Sequence, residues 1–322
     1  MKETRKLKFR RGKIKPPSQK RIKRVSSMMM KDFSVMPVYL IVPFSIYSSS
    51  VTFRFLHTVI TKFFMSQYLQ KLHITHRKIK HVDHELDWKI PFRPDKAKIY
   101  MEFINIWIRP LCMLLKRFGV RHGSKLCAEF LRYIDLSYRE AWKIYSVCMT
   151  TTVRPECKSS KAITGIQKAD PHYLCVPSLH IAIVCLCFSF YRMLFEREGF
   201  TQKEKDTWNK ELYEHAVSIG ETVLYVKQHS VNCIPAALYM MTRIAPELFT
   251  PEMAVTFIND LFKNQKDIPE SDRKKINAHM QFTYERFLLE GAATAEDWTE
   301  PVLRWLYDYV PFNVKQNVSL RS

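Results

Sequence analysis

Glycine is scarce in this chain: only 7 of the 322 residues are glycine. Glycine readily adopts the backbone conformations that tight turns need, so its scarcity argues against a turn-rich β-barrel. It also argues against a glycine-rich nucleotide-binding loop, and neither GxGxxG nor GxxxxGK[ST] occurs. Hydrophobic residues make up 47% of the chain, which is enough to build a core. We therefore predict an all-α protein, a bundle of long helices.

The N-terminal stretch is strongly basic. Residues 1–25 hold twelve Lys or Arg and one acidic residue, Glu3, so this stretch carries more than half of the formal net charge of +20. Such a block is usually disordered, and we predict a disordered tail over residues 1–33. We expect the tail to lie in the cytoplasm against an anionic membrane surface. Nucleic acid is a less favoured partner because no nucleic-acid-binding motif follows, and a solvated tail without a partner is the third reading.

The eight cysteines show no CxxC pattern and no paired framework. Several lie inside apolar runs, where a free cysteine behaves as a small hydrophobic residue. We therefore expect reduced thiols, which favours a cytosolic setting for most of the chain. A cleavable signal peptide is not expected, because the basic start is too long and no small-residue cleavage site follows a compact apolar segment.

Two stretches without charged residues, 34–53 and 173–191, are long enough to cross a membrane. Pro37 and Pro43 interrupt the first stretch, and Pro177 interrupts the second. We therefore predict a membrane-associated protein rather than one with several spans. A helical bundle that is fully cytoplasmic is the alternative.

The chain divides into three zones: the basic tail 1–33, an apolar central zone 34–245 and a more polar zone 246–322. The last zone is predicted to form additional helices. One begins at Thr250, whose side chain can cap the helix and which is followed by proline. Another begins near Thr299, where apolar residues again recur at helical spacing.

Two histidines lie beside small or polar residues at the edges of apolar runs. Residues 177–180 read PSLH, and residues 227–229 read KQH. Imidazoles act as acids, bases or nucleophiles near neutral pH, and Arg154 upstream supplies a fixed cation. Ser178 can cap the apolar helix that follows, which leaves the N–H groups of its first turn free to bind phosphate. The arrangement predicts a phosphoryl-transfer site.

The order of these segments resembles the type 2 phosphatidic acid phosphatase superfamily, and most closely its inositol phosphorylceramide synthase-like branch. Arg154-Pro155 comes first, then PSLH, then Lys-Gln-His. A weaker similarity is the sequence DWKIPF at residues 87–92, followed by Tyr100. The resemblance spans residues 87–245. It implies a helical bundle of that superfamily's type, a lipid or other phosphate ester as substrate, and no metal or other cofactor.

The resemblance also implies roles for individual residues. His229 would attack phosphorus and form a phosphohistidine intermediate. His180 would protonate the leaving oxygen and then activate the incoming water or alcohol. Arg154, the Ser178 hydroxyl and neighbouring backbone N–H groups would hold the phosphoryl oxygens, and Lys227 would add a further positive charge.

The chain departs from the superfamily pattern at two positions. A lysine expected seven residues before the arginine is Val147, and the aspartate expected four residues after the second histidine is Cys233. A thiol is a poor acceptor for an imidazole N–H. Other acceptors in the sequence are an amide and two carboxylates: Asn232, Asp170 and Glu221. The alternative reading is therefore a catalytically impaired descendant that binds lipid phosphates or a membrane surface.

A second group of histidines comes before the superfamily-like region. It contains His73, His76, His81 and His84. Their spacing matches no standard zinc site, and the lysines and arginine between them repel a cation. We therefore interpret this segment as a basic, solvated connector and predict no metal site.

Overall fold

The computed structural model describes residues 13–157, 160–293 and 297–312. The protein is 69% helix and 2% strand, which confirms the prediction of an all-α chain. Its main hydrophobic core extends from Val25 to Leu306 and draws on all three zones of the sequence. The polar zone that begins at residue 246 therefore packs into the same core as the central zone.

The N-terminal part consists of short helical elements joined by turns. In chain order they are α1 Gln19–Val25, a 3₁₀-helix Met30–Asp32, α2 Met36–Ile41, α3 Ser49–Thr58, a π-helix Val59–Met65 and α4 Ser66–Lys71. The last three follow one another without a break, and we call this continuous helix the α3–α4 rod. The rod packs along the long helix Phe103–Tyr145.

The described part of the basic tail is folded, which differs from the prediction. Three of its apolar side chains are buried in the core: Val25, Met30 and Phe33. The indole N–H of Trp208 also donates a hydrogen bond of 2.9 Å to the Met28 carbonyl. Disorder over residues 1–33 is therefore wrong for residues 19–33, because apolar side chains between the basic ones anchor the segment. Residues 1–12 lie outside the described part of the chain.

The central part contains the long helices and two short strands. In chain order they are β1 Ile79–His81, 3₁₀-helices Glu85–Lys89 and Pro94–Lys96, α5 Ala97–Met101, α6 Phe103–Tyr145, β2 Met149–Thr151, α7 Lys161–Ala169, α8 Leu179–Arg197, α9 Gln202–Tyr225 and α10 Cys233–Ile244. The two strands pair in parallel, with Ile79 opposite Met149. The resulting sheet ties the segment before α5 to the segment after α6.

Helix α6 consists of two arms that fold back on each other at Gly119. This glycine has φ 75° and ψ 170°, a conformation that other residues avoid. The arms approach so closely that a Cβ atom at Gly123 would lie 2.7 Å from the Leu114 carbonyl oxygen. The thiol of Cys127 also lies 3.6 Å from the Leu111 carbonyl. Small residues thus allow the reversal.

Helix α8 lies at the centre of the bundle and packs against α6, α9 and α10. Ser178 caps it by accepting a hydrogen bond from the Ile181 amide, as predicted. Within the described ranges it is the one helix long and apolar enough to cross a membrane, but 78% of that apolar window is buried inside the protein. Burial of this kind is also typical of the core helix of a soluble protein, so the helix is weak evidence for a span.

The other uncharged stretch, residues 34–53, is not one helix. It forms α2, a run of turns around Pro43, and the start of α3. Proline cannot continue the backbone hydrogen bonding of a helix, and here the helix ends before it. The stretch therefore has no single helix of spanning length.

The C-terminal zone forms helices that pack beside α10. They are α11 Pro251–Asp260, α12 Glu270–Ala293 and α13 Thr299–Asp308. Thr250 caps α11 by accepting the Met253 amide, and α13 begins at Thr299, so both predicted helix starts are confirmed.

Candidate active site

The two predicted catalytic histidines meet in the structure. His180 lies in the first turn of α8, and His229 lies in the turn between α9 and α10. His180 Nδ1 is 3.1 Å from His229 Nε2, and Ser178 Oγ is also 3.1 Å from that Nε2 atom. The fold thus brings two polar groups from the start of α8 onto one imidazole nitrogen that lies about fifty residues further along the chain.

The backbone after α9 determines where His229 lies. Lys227 adopts a left-handed conformation with φ 56°, which is uncommon for a residue other than glycine. The amides of Gln228 and His229 then both donate to the Val223 carbonyl, at 3.0 and 3.1 Å. This turn ends α9 and directs His229 toward the start of α8.

Asp87 anchors the same turn from outside. Its carboxylate accepts hydrogen bonds of 2.8 Å from the backbone amides of His84 and Val231. Burial raises the pKa of Asp87 to about 6, against the lowering effect of these hydrogen bonds and of the Lys227 charge. Asp87 of the DWKIPF segment therefore holds the histidine turn in place. The resemblance to the phosphatase superfamily did not imply this role.

Lys227 points away from the histidines. Its ammonium donates to the backbone carbonyls of Asp87 and Ile90, the latter at 2.6 Å. Burial lowers the pKa of Lys227 to about 8, although the Asp87 charge opposes this shift. The side chain is engaged within the protein, so the structure assigns it to positioning rather than to the predicted binding of phosphate.

Arg154 stands beside the histidine turn. Its guanidinium donates to the Gln228 side-chain oxygen at 3.4 Å and to the Asp170 carbonyl at 3.2 Å. The side-chain amide nitrogen of Gln228, Nε2, is buried and has no hydrogen-bond partner among the described residues. Gln228 therefore offers an unused N–H donor next to His229, and its place in the KQH segment was the only sequence signal for it.

Both histidines are neutral at pH 7, because burial lowers the pKa of each ring. Burial lowers the pKa of His180 to about 4, and the nearby Asp170 charge opposes this only in part. Burial and the neighbouring His180 hold the pKa of His229 well below its usual range. A neutral imidazole can donate one lone pair, so His229 is available as a nucleophile.

The Nδ1 atom of His229 has no orienting acceptor. It is buried without a hydrogen-bond partner among the described residues. The backbone of Cys175 raises the pKa of His229 and so favours its protonated form. It does not, however, form a hydrogen bond of normal geometry with His229 Nδ1. Cys233 accepts the Ser230 amide at 3.4 Å instead, and burial raises the pKa of its thiol well above the usual range.

The other acceptors named from the sequence are engaged elsewhere. Asn232 receives a hydrogen bond of 2.8 Å from His279 Nε2, and Glu221 accepts the Phe262 amide at 2.7 Å. Asp170 lines the pocket, and it accepts the backbone amide of His172 at 3.0 Å. None of these three replaces the missing aspartate by a hydrogen bond to His229 within the described part of the chain.

The histidine pair lines a pocket of about 450 Å³. Most of its wall is aromatic or aliphatic, including Phe63, Phe64, Tyr100, Met101, Phe103 and Ile104. The rings of Tyr100 and Phe103 pack on His180, with centroid distances of 5.0 and 4.5 Å. The pocket therefore joins a small polar group to a large apolar surface, as ligand sites usually do.

His172 is a polar side chain of the pocket that was not predicted. His172 is buried, and its Nε2 atom lies 2.7 Å from the Thr152 hydroxyl. Burial lowers its pKa, while Asp170 opposes that shift.

A second cavity, of about 420 Å³ between α8, α9 and α11, contains none of the predicted site residues.

The upstream histidine group does not converge. His81 Nδ1 lies 3.1 Å from Asp83, and the ring of His84 stacks on His279 at 3.9 Å. Over the described ranges, no group of three or more His, Cys, Asp or Glu side chains is arranged to hold a metal ion. All eight cysteines lie within the described ranges, and none of them forms a disulfide there.

Comparisons of the chain with protein-family models, with curated proteins and with solved structures find no match. An inference about function therefore rests on the site itself. The site consists of two neutral histidines in contact, a serine hydroxyl on the same nitrogen, a nearby arginine and an apolar pocket.

Proposed function

We propose that the protein is a phosphatase or phosphotransferase that acts on a lipid-like phosphate ester through a phosphohistidine intermediate. One observation carries the proposal: His180 Nδ1 and Ser178 Oγ both lie 3.1 Å from His229 Nε2 in an apolar pocket. This geometry pairs a nucleophile with an acid or base inside hydrogen-bond distance, as covalent catalysis requires.

In the first step, the lone pair of His229 Nε2 attacks phosphorus. A phosphorus–nitrogen bond forms, the ester phosphorus–oxygen bond breaks, and protonated His180 gives its proton to the leaving oxygen. Negative charge on the bound phosphoryl group raises the pKa of His180, so substrate binding increases the protonated fraction of His180. Arg154, the free N–H of Gln228 and the N-terminal end of α8 stabilise the phosphoryl oxygens.

In the second step, the neutral imidazole of His180 removes a proton from water or from an alcohol. The resulting oxygen nucleophile attacks phosphorus, and the phosphorus–nitrogen bond to His229 breaks. Water gives inorganic phosphate, whereas an alcohol gives a new phosphate ester. These two steps use only side chains and backbone groups of the protein.

The pocket wall supports a substrate with an apolar part. Aromatic side chains such as Phe63 and Tyr138 and aliphatic ones such as Leu174 and Leu179 face the same cavity as the histidines. Apolar area removed from water contributes about 25 cal/mol per Å², so an acyl or isoprenoid chain gains more here than a sugar or an amino acid does. A lipid-like phosphate ester is therefore the favoured substrate class.

The experiment is phosphate release from a panel of lipid and water-soluble phosphate esters. His229→Gln should lower turnover by about 10³-fold or more, because it removes the nucleophile while filling the same volume. His180→Gln should lower it by about 10²-fold or more, because it removes the acid and base. His279→Gln is the matched control, since His279 is a partly buried histidine, as His180 is, but lies outside the pocket.

Retained turnover in folded His229→Gln protein would end the phosphohistidine mechanism. Trapping provides a second readout, since a phosphohistidine is lost in acid but survives in alkali. Wild-type protein quenched during turnover should therefore carry phosphate on the peptide that contains His229, and His229→Gln protein should not.

A second candidate function is phosphate binding without catalysis. The specific observation in its favour is the Nδ1 atom of His229, which is buried without a hydrogen-bond partner among the described residues, and the resemblance would require an aspartate where the chain has Cys233. In the serine protease triad, replacing the orienting aspartate by asparagine costs about 10⁴ in kcat. If wild-type protein is silent, Cys233→Asp should restore turnover. A silent and well-folded Cys233→Asp variant would instead favour the binding protein.

A further inference from the structure

The α3–α4 rod carries an apolar stripe on its outer face. Five large side chains at intervals of three or four residues form it: Phe53, Leu56, Ile60, Phe64 and Tyr68. Residues at this spacing lie on one side of a helix. All five are exposed in the described part of the chain, and they extend over about four helical turns.

The opposite face of the rod is already used for packing. The ring of Phe55 packs edge-on against Trp107 of α6, with a centroid distance of 6.3 Å. The hydroxyl of Thr58 donates a hydrogen bond of 2.8 Å to the carboxylate of Asp135, also on α6. The rod is therefore held by one face, and its stripe is an additional apolar surface rather than a misplaced core face. Monomeric soluble proteins rarely expose contiguous apolar surfaces of this extent without a function.

The charge around the stripe is positive. Residues 33–82 contain six Lys or Arg and no Asp or Glu. Acidic groups on the neighbouring helix α6 and at its start are paired with arginines: Asp135 lies 2.9 Å from Arg54, and Glu102 lies 2.8 Å from Arg109. A partner for this surface is therefore apolar and anionic.

We propose that the α3–α4 rod lies in the headgroup region of an anionic lipid bilayer and docks the protein there without a transmembrane span. A helix with an exposed apolar stripe and flanking basic residues binds membranes in this way. A second copy of the chain fits less well, because residues 33–82 carry six basic and no acidic residues, and two copies of such a segment repel each other.

Docking in this orientation brings the pocket to the lipid. Phe64 belongs both to the stripe and to the pocket wall, and the exposed side chains of Met101 and Ile104 complete the pocket's outer edge. A lipid phosphate ester can then pass from the leaflet into the pocket without crossing water. This entry route rests on the proposed function, whereas the docking itself does not.

The experiment measures co-sedimentation of the full chain with vesicles of phosphatidylcholine alone or mixed with phosphatidylserine. The test variant is Phe53→Glu/Ile60→Glu, which puts two charges on the stripe. Its matched control is Phe282→Glu/Leu289→Glu on α12. Each pair is seven residues apart, and the exposed fractions are 54% and 57% on the rod against 68% and 71% on α12.

Wild type should bind the anionic vesicles. The stripe variant should bind at least about tenfold more weakly, because two glutamates in the headgroup region oppose both the apolar and the electrostatic attraction. The α12 control should bind like wild type. Equal binding by the stripe variant would overturn the proposal and leave the basic tail as the attachment, since both variants retain the tail.

Two further readouts separate this proposal from its rivals and from the proposed function. A wild-type dimer in solution that becomes monomeric in the stripe variant would overturn lipid docking in favour of a second copy. Hydrolysis of a water-soluble phosphate ester should be unchanged in the stripe variant, whereas His229→Gln should lose hydrolysis but keep vesicle binding. Failure of docking and failure of catalysis thus give different results.

Discussion

Sulfate binding should be accompanied by uptake of a proton by the histidine pair. Sulfate has the tetrahedral oxygens of a phosphoryl group but does not titrate between pH 5 and 8, so any proton taken up belongs to the protein. Burial lowers the pKa of His180 to about 4, which makes this residue neutral before an anion binds. A bound anion favours the protonated ring, so the pKa of His180 rises when sulfate binds.

The size of the shift follows from Coulomb's law for a sulfate bound beside the histidine pair. We take one of its two charges as offset by Arg154 and the other as lying about 5 Å from the ring of His180. At an effective dielectric constant of about 20 this is worth about 3.3 kcal/mol, or about 2.4 pKa units. The pKa of His180 should therefore rise from about 4 to about 6.5.

Isothermal titration calorimetry in buffers of different ionisation enthalpy counts the protons. With these pKa values, uptake should be about 0.9 proton per sulfate at about pH 5.5 and about 0.2 at about pH 7. The sign is fixed by linkage: the bound state holds more protons between the two pKa values, so sulfate affinity increases as pH falls through that window.

Variants identify the group that takes up the proton. His180→Gln should reduce the uptake, and His180→Gln/His229→Gln should remove it. His279→Gln should not change it, although burial lowers the pKa of His279 to about 4 as well, because His279 lies outside the pocket. Sulfate binding to wild type without proton uptake at about pH 5.5 would refute the electrostatic reasoning.

Two further predictions concern the scaffold. Asp87→Ala should lower the free energy of unfolding in urea by about 3 kcal/mol, because the amides of His84 and Val231 lose their acceptor. Asp87→Asn, which retains an acceptor, should cost clearly less, and equal losses in the two variants would contradict this role. Gly123→Ala should lower thermal stability, because its Cβ would lie 2.7 Å from the Leu114 carbonyl oxygen. By contrast, Gly165→Ala in α7 should raise the free energy of unfolding by about 0.5–1 kcal/mol, because no described atom lies within 4 Å of the added Cβ. A tolerated Gly123→Ala would show that the two arms of α6 can move apart.

Local features of the sequence predicted the helices well. Scarce glycine and regular apolar spacing indicated an all-α chain, and Ser178, Thr250 and Thr299 each mark a helix start that the structure confirms. These signals work because a helix and its cap depend on residues within one or two turns. The basic tail shows the limit, since a charge count does not register the few apolar side chains that anchor residues 19–33.

Sequence also identified the residues of the candidate site, but not how they are used. Lys227 stands two positions before His229, and its left-handed backbone turns the ammonium toward the Asp87 and Ile90 carbonyls instead of the pocket. Asn232 and Glu221 were possible acceptors for the His229 ring by sequence, but in the structure they bond to His279 and to the Phe262 amide instead. A side chain's partner depends on which surfaces meet, and chain spacing does not contain that information.

The sequence by itself determined the helical class, the caps and the chemical types in the PSLH and KQH segments, because each follows from short-range geometry and composition. Only the tertiary structure decided that His180 and His229 stand 3.1 Å apart, that His229 Nδ1 has no hydrogen-bond acceptor among the described residues, and that one face of the α3–α4 rod remains exposed. The first two facts depend on long-range packing around α8, where burial also sets the pKa of the histidines, and the third depends on how the rod packs along α6.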